Sequence, residues 1–224
     1  GTVSGTISAT ERVSSLTGLT GNNAYQITIS EEDATTTSDE LITINSKTTV
    51  GIDLTNVIAF SSSISDLENF ANAIGEGDFI NAEGSVSISL TDSTLSVIDL
   101  NFAIATANSL NVGEGDLIND ATRSVFLLSP GATINGGDES EFETLLTNEN
   151  NGQVSITDQN LIVDTGTLSI ETANDLAATT EGTVTADIDI NATVDSLATL
   201  EGTNTYTIKI AAADAIGSTA DQLL

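Results

Sequence analysis

Residues 182–215 read GTVTADIDINATVDSLATLEGTNTYTIKIAAADA, and residues 1–34 read GTVSGTISATERVSSLTGLTGNNAYQITISEEDA. Laid together without a gap, about 15 of the 34 positions are identical, which marks an internal repeat. The matches pair Val3 with Val184, Ile7 with Ile188, Leu16 with Leu197, Gly21 with Gly202, Tyr25 with Tyr206, Ile27 with Ile208 and Asp33 with Asp214. Apolar positions and turn glycines recur while the polar positions between them drift. A stacked structural unit keeps those positions; a single active site would keep its reactive groups instead. The second copy stops at Leu223–Leu224, where the first runs on through Leu41, Ile42 and Ile44. The expectation is therefore a stretch of a longer array with a truncated last repeat.

Outward from the repeat, two signals alternate. Strand-like alternation of apolar residues with Ser and Thr occurs at Val3–Ala9, Tyr25–Ser30, Val50–Leu54, Val86–Leu90, Val125–Leu128, Val154–Thr157, Val184–Ile190 and Tyr206–Ile210. Between these runs a [ST]-x-x-[DE] pattern recurs at Thr36–Asp39, Ser63–Asp66, Ser96–Asp99, Ser140–Glu143, Thr172–Asp175 and Ser218–Asp221, each followed closely by a Leu. Such a hydroxyl can accept a backbone N–H in the first helical turn, and the acid can reach back to the cap. Acids there also favour the positive end of the helix dipole. Weaker versions stand at Val13–Leu16 and Val194–Leu197.

Short strands alternating with short capped helices fit two architectures, a doubly wound sheet and a solenoid. The internal copies and the short helices favour the second. The expected fold is a β-rich repeat protein, a parallel β (β/α) solenoid with short capped helices or turns between strands. Residues 1–120 read as solenoid coils, 121–152 as an irregular insertion or boundary around Pro130 and Asn135-Gly136-Gly137, and 153–224 as further coils.

Charge narrows the function. The chain carries 33 acidic and four basic residues (Arg12, Lys47, Arg123 and Lys209), for a net charge of −29. Without a basic patch, nucleic acid and anionic membrane surfaces are poor partners. The chain has no Cys and no His, so it has no disulfide framework, no thiolate zinc site and no histidine-based nucleophile pair. No apolar run reaches the ~18 residues of a membrane-spanning helix. An acidic surface is suited to staying dissolved, to salty water or to divalent cations.

The best candidates for a site are two echoing loops, Ile74-Gly-Glu-Gly-Asp-Phe-Ile-Asn81 and Val112-Gly-Glu-Gly-Asp-Leu-Ile-Asn119. Glu76 and Asp78 with Glu83, or Glu114 and Asp116 with Asp120, would gather oxygen ligands of the kind calcium takes. Their spacing matches neither an EF-hand nor the nonapeptide of calcium β-rolls. The alternative is a pair of coil-linking turns, with Gly for positive φ and acids in water. A carbohydrate-active solenoid is a further alternative, with surface polysaccharide as partner. It is short of basic groups for an acidic sugar, and Tyr25 and Tyr206 read as strand residues in a core or cross-coil stack.

The run Thr193-Val-Asp-Ser-Leu-Ala-Thr-Leu-Glu-Gly202, followed by Tyr206-Thr-Ile-Lys-Ile210 and Asp214–Leu224, resembles the low-complexity Thr/Ala/Asp/Leu repeats of giant secreted surface proteins of cyanobacteria. These include proteins linked to cell-surface layers and to swimming. The resemblance covers residues 1–60 and 182–224. It implies an extracellular or cell-surface location, a non-catalytic filamentous or layer-forming role, and no catalytic residues. The first expectation is thus a structural segment of a long extracellular protein, not an enzyme. It would associate with itself or with neighbouring repeats and need no cofactor. A calcium-dependent adhesion module with Glu76, Asp78, Glu114 and Asp116 as ligands is the alternative.

Overall fold

The computed structural model describes residues 2–8, 10–80, 87–109, 126–189 and 191–209. In chain order the elements begin with β1 (Ser4–Thr6), α1 (Val13–Leu16), β2 (Ala24–Gln26), a 3-10 turn at Glu31–Asp33, β3 (Thr35–Thr37), α2 (Ser38–Asn45) and β4 (Ile52–Asp53). They continue with β5 (Ala59–Ser62), α3 (Ile64–Gly75), β6 (Phe79–Ile80), β7 (Ser87–Leu90), β8 (Thr94–Ser96), α4 (Val97–Ser109) and β9 (Phe126–Leu127). The last are β10 (Thr133–Asn135), α5 (Glu139–Asn150), β11 (Asn160–Ile162), α6 (Ile170–Thr179), β12 (Val184–Asp187), α7 (Val194–Leu197) and β13 (Thr205–Thr207). Every strand pair among the described residues is parallel. Parallel neighbours need a crossover, which the intervening segments provide, many of them helical. The protein is a mixed α/β chain built on several parallel sheets. None of its described helices is long and apolar enough to cross a membrane.

The chain divides into two compact units. The first takes residues 1–92, 102–128 and 152–154. Its sheets run β1-β2, β4-β6 and β3-β5-β7-β9. Three phenylalanines join strand to helix in its core. Phe60 of β5 meets Phe70 of α3 edge-on at 4.9 Å, and Phe70 meets Phe79 of β6 at 4.8 Å. Ile29, Leu41, Ile44, Ile52 and Leu54 are among the other buried side chains of this unit. Beside them the buried hydroxyls of Ser38 and Ser62 satisfy each other at 2.6 Å, as buried polar groups must.

The second unit takes residues 93–101, 129–151 and 155–224. Its sheet runs β13-β12-β11-β10-β8. Ile134, Phe142, Leu145, Ile156, Leu161, Leu168, Leu176, Val184 and Ile188 are buried there. Segments approach closely enough that a side chain would not fit at Gly182, where a Cβ would lie 2.0 Å from the Gln159 carbonyl oxygen. The stretch read as irregular, 121–152, is described from residue 126 onward. There it contains β9, β10 and α5, the last opened by a complete capping box between Asp138 and Glu141.

Helices form at the places the sequence marks, but three caps differ from the marked hydroxyl, one residue after it in α2 and two or three residues before it in α5 and α6. Ser63 and Ser96 cap α3 and α4 as read, accepting from the Asp66 and Asp99 N–H groups. In α2 the cap is Thr37 with Glu40, in α5 Asp138 with Glu141, and in α6 Ser169, whose hydroxyl accepts the Thr172 N–H. Thr36, Ser140 and Thr172 are each near-duplicates of the true cap, so the pattern alone does not choose between them. The Ser218 box lies outside the described residues. Strands β3, β5, β8, β10 and β11 lie outside the runs of apolar and Ser/Thr alternation read from the sequence, β3 consisting of Thr alone. β3, β5 and β8 also run directly, or within one residue, into the following helix.

The two copies adopt the same local structure. β1 pairs with β2 as Ser4↔Ala24, Gly5↔Tyr25 and Thr6↔Gln26, and β12 with β13 as Thr185↔Thr205, Ala186↔Tyr206 and Asp187↔Thr207. These are equivalent positions throughout. Asn23 Oδ1 accepts the Val3 N–H at 3.0 Å, and Asn204 Oδ1 accepts the Val184 N–H at 2.9 Å. The same amides donate to Thr20 O and Glu201 O. Gly21 and Gly202 both take the left-handed conformation, with φ of 77° and 75°, which glycine adopts at little cost.

Candidate functional site

Of the two Gly-Glu-Gly-Asp loops, the one at residues 75–80 is described. The Glu76 N–H donates to Asn72 O at 3.1 Å and the Asp78 N–H to Ala73 O at 3.0 Å, closing the end of α3. Gly77 turns the chain with φ 80°. Asp78 then enters the β4–β6 pairing, its carbonyl accepting the Ile52 N–H at 2.8 Å. Its side-chain Oδ2 accepts Asn45 Nδ2 at 2.6 Å, which ties the loop to the last residue of α2. Glu76 is exposed. Asp78 thus serves as a bracket between two segments. Glu83, Glu114, Asp116 and Asp120 lie outside the described residues. Among the described residues, no group of three or more acidic side chains is placed to hold a metal ion.

Acids elsewhere share the bracketing role. Asp33 Oδ2 accepts the Val13 N–H at the start of α1 (2.8 Å), Asp92 Oδ2 the Ile64 N–H at the start of α3 (3.0 Å), and Glu139 Oε1 the Ser169 N–H at the start of α6 (2.9 Å). Each bond joins residues 20 to 30 apart in sequence. A helix leaves its first N–H groups without internal partners, and a carboxylate there also meets the positive end of the dipole. Arg12 closes one bracket from outside, 2.6 Å from Glu32 and 3.2 Å from Asp33.

The electrostatics follow from these contacts. Partial burial would raise the Glu139 pKa, but bonds from the Thr172 and Ser169 hydroxyls and the Ser169 N–H outweigh it and hold Glu139 below its ordinary value. Asp138 is lowered by hydrogen bonding with the Glu141 side chain and then with Ser140. Glu149 goes the other way: burial raises it, and one bond from the Ile156 N–H does not compensate. Burial also raises the Tyr206 hydroxyl.

One groove was not singled out from the sequence. It lies between α5 and α6, holds about 560 Å³, and is lined by Glu143, Thr147, Asn150, Glu171, Thr172 and Asp175. Glu143 and Thr147, like Glu171 and Asp175, stand four residues apart, so each pair lies on one helix face. That spacing was the available signal. The groove presents carboxylate, hydroxyl and amide groups to water. With no His in the chain it has no imidazole to move a proton near neutral pH.

Comparison with protein-family models, with curated proteins and with solved structures returns no match.

Proposed function

We propose that the chain is a non-catalytic structural segment of a long extracellular surface or filament-forming protein, its strands and helices stacked as coils of a parallel β/α solenoid. The observation that carries this reading is the repeat itself. Strand register, asparagine bridges and turn glycines recur in both copies, whereas the basic groups do not. Arg12 corresponds to Thr193, and Lys209 to Thr28. A repeat that preserves its stacking and lets its charges drift suits mechanical continuity rather than chemistry at one point. The acidic surface would keep neighbouring segments apart and dissolved. The resemblance to repeats of giant secreted surface proteins supports the same role and the extracellular location. The carboxylates of Asp33, Asp78, Asp92 and Glu139 then belong to the scaffold.

Thermal unfolding with calcium titrated in, beside magnesium and sodium controls, tests the reading. The structural reading expects the three salts to act alike at matched ionic strength, because they only screen repulsion. A rise of several degrees with calcium alone would favour a calcium-dependent adhesion module instead, since a ligand that binds only the folded state stabilises it.

A further inference from the structure

We propose that Asn191 is the acceptor of an N-linked oligosaccharide, transferred from a lipid-pyrophosphate carrier as the chain is exported. The proposal rests on the extracellular reading above, because such carriers present their sugar to chains crossing a membrane. Asn191-Ala192-Thr193 is the one Asn-x-Ser/Thr triplet in the 224 residues, and its middle residue is not proline. The pattern supplies a hydroxyl two residues after the amide, and it calls for a place on the surface.

The fold gives the triplet that place. Asn191 and Thr193 are exposed between β12 and α7, whereas Val184, Ala186, Ile188 and Val194 to either side are buried. The Ala192 N–H donates to Asp189 O at 2.9 Å, so the chain turns here. A surface turn accepts a bulky group without disturbing the core. In the first copy the segment that follows is described, and there the counterpart of Asn191, Thr10, is exposed as well. It opens onto a pocket of about 330 Å³ shared with Ser30, Glu31, Glu32 and Asn56.

Other asparagines brace one segment to another. Asn23 and Asn204 Oδ1 accept the Val3 and Val184 N–H groups, Asn56 Nδ2 donates to Ile29 O, and Asn174 Nδ2 donates to Thr199 O. Each of those bonds joins residues 20 to 27 apart. The Asn191 Nδ2 instead donates to Asp189 Oδ1 at 2.9 Å, two residues back and within the same turn. A sugar on this nitrogen breaks no link between segments, and the substituted amide keeps one N–H for Asp189.

In the transfer, Asn191 Nδ2 attacks C1 of the first sugar. The Nδ2–C1 bond forms and the C1–O bond to pyrophosphate breaks. The lipid pyrophosphate leaves with that electron pair, and one amide proton passes to a base of the transferase. Thr193 has a second role in the folded chain, where its hydroxyl accepts the Ser196 N–H at 3.2 Å as the cap of α7. The same hydroxyl does not serve the enzyme and the cap at once, so the transfer precedes the folding of this turn.

The test is mass spectrometry of the chain from the cells that make it, collected separately from outside and inside them. Peptides carrying residue 191 are compared before and after an amidase that releases N-linked sugars and leaves aspartate in place of the asparagine. The exported chain should carry an oligosaccharide at Asn191 and at no other asparagine. Asn191→Gln should abolish it and Thr193→Ser should keep it. Thr193→Asp should also abolish it, although Asp caps a helix as well as Thr does, with circular dichroism and the melting temperature confirming the fold. An unmodified Asn191 in the exported chain would overturn the proposal. So would a sugar that survives Thr193→Asp, or one carried by Ser or Thr residues alone. An exported chain without the sugar removes the proposal and leaves the extracellular reading standing. A chain found only inside the cells removes both.

Discussion

Val3–Ile7 and Val184–Ile188 are one strand in two settings. Both pair in parallel with a later strand at equivalent register, and both are held by an asparagine at the same offset. In the second setting β11 lies alongside, and Val184, Ala186 and Ile188 are buried. In the first, Val3 and Gly5 are exposed and Ile7 is half-buried. The conformation of each copy is thus written in its own residues, while its burial is conferred by the strand packed alongside it. Conformation without burial contributes little to stability, because the apolar surface removed from water supplies most of the driving force. Equivalent substitutions in the two copies should therefore differ in cost.

The largest difference is expected at two glycines that are not counterparts, Gly182 (aligned with Gly1) and Gly5 (aligned with Ala186). Gly182→Ala drives a Cβ against the Gln159 carbonyl and should cost ~3 kcal/mol, as overpacking of a close contact does. Gly5→Ala places the Cβ where nothing lies within 4 Å and should stay within about 0.5 kcal/mol of wild type. Urea unfolding of both variants decides this, and similar losses would break the comparison. Next come the valines. Val184→Ala should lose ~2 kcal/mol through transfer and cavity terms, and Val3→Ala less than about 0.5 kcal/mol.

Caps give a smaller effect and a different contrast. α7 is capped by its own Thr193, whose hydroxyl accepts the Ser196 N–H at 3.2 Å. Arg12 in the equivalent place makes no side-chain cap, and Asp33 supplies a bond to the Val13 N–H instead. Thr193→Ala and Asp33→Ala should each cost about 1 kcal/mol. Thr28→Ala, which removes no cap, serves as the control in the same unfolding assay.

The smallest effect is the pH response. A carboxylate whose folded pKa is depressed contributes stability that is present above its unfolded value and lost as pH falls through the folded one. For Glu139 the loss begins near its ordinary value of 4.5 and continues below it. Glu149, raised by burial, works in the opposite sense: its charged form is disfavoured in the folded state, and protonation on acidification relieves the penalty. Unfolding curves between neutral pH and the acid range should show less acid loss for Glu139→Gln than for wild type. Glu149→Gln should show more, because the relief is then absent at every pH.

The repeat and the places of its helices are legible in the sequence because they rest on periodicity and on hydroxyls that recur. The pairing of β1 with β2 was not legible in the repeat, because matching Val3 and Tyr25 to Val184 and Tyr206 shows equivalent positions and not which strands meet. Strands such as Thr35–Thr37 were not legible, since three Thr residues leading into a helix cap carry no alternation; what makes them strands is the neighbour they pair with. Asp78 was visible as a liganding type of residue, but its bond to Asn45 crosses 33 positions and has no local signature. The same holds for Asp33, Asp92 and Glu139, whose targets are the helix starts of other segments. An acid that caps at a distance and an acid that faces water look alike in a single chain.

Hydrogen exchange followed through matched peptides, in dilute protein and low salt, tests the central claim most directly. The account predicts that residues 184–189 exchange near the rate of the slowest core peptides of the second unit. Residues 3–8 should exchange orders of magnitude faster, as expected for segments with few buried contacts. Equal protection of the two segments, or slower exchange at residues 3–8, would contradict the claim that the second copy is stabilised by the strand packed before it.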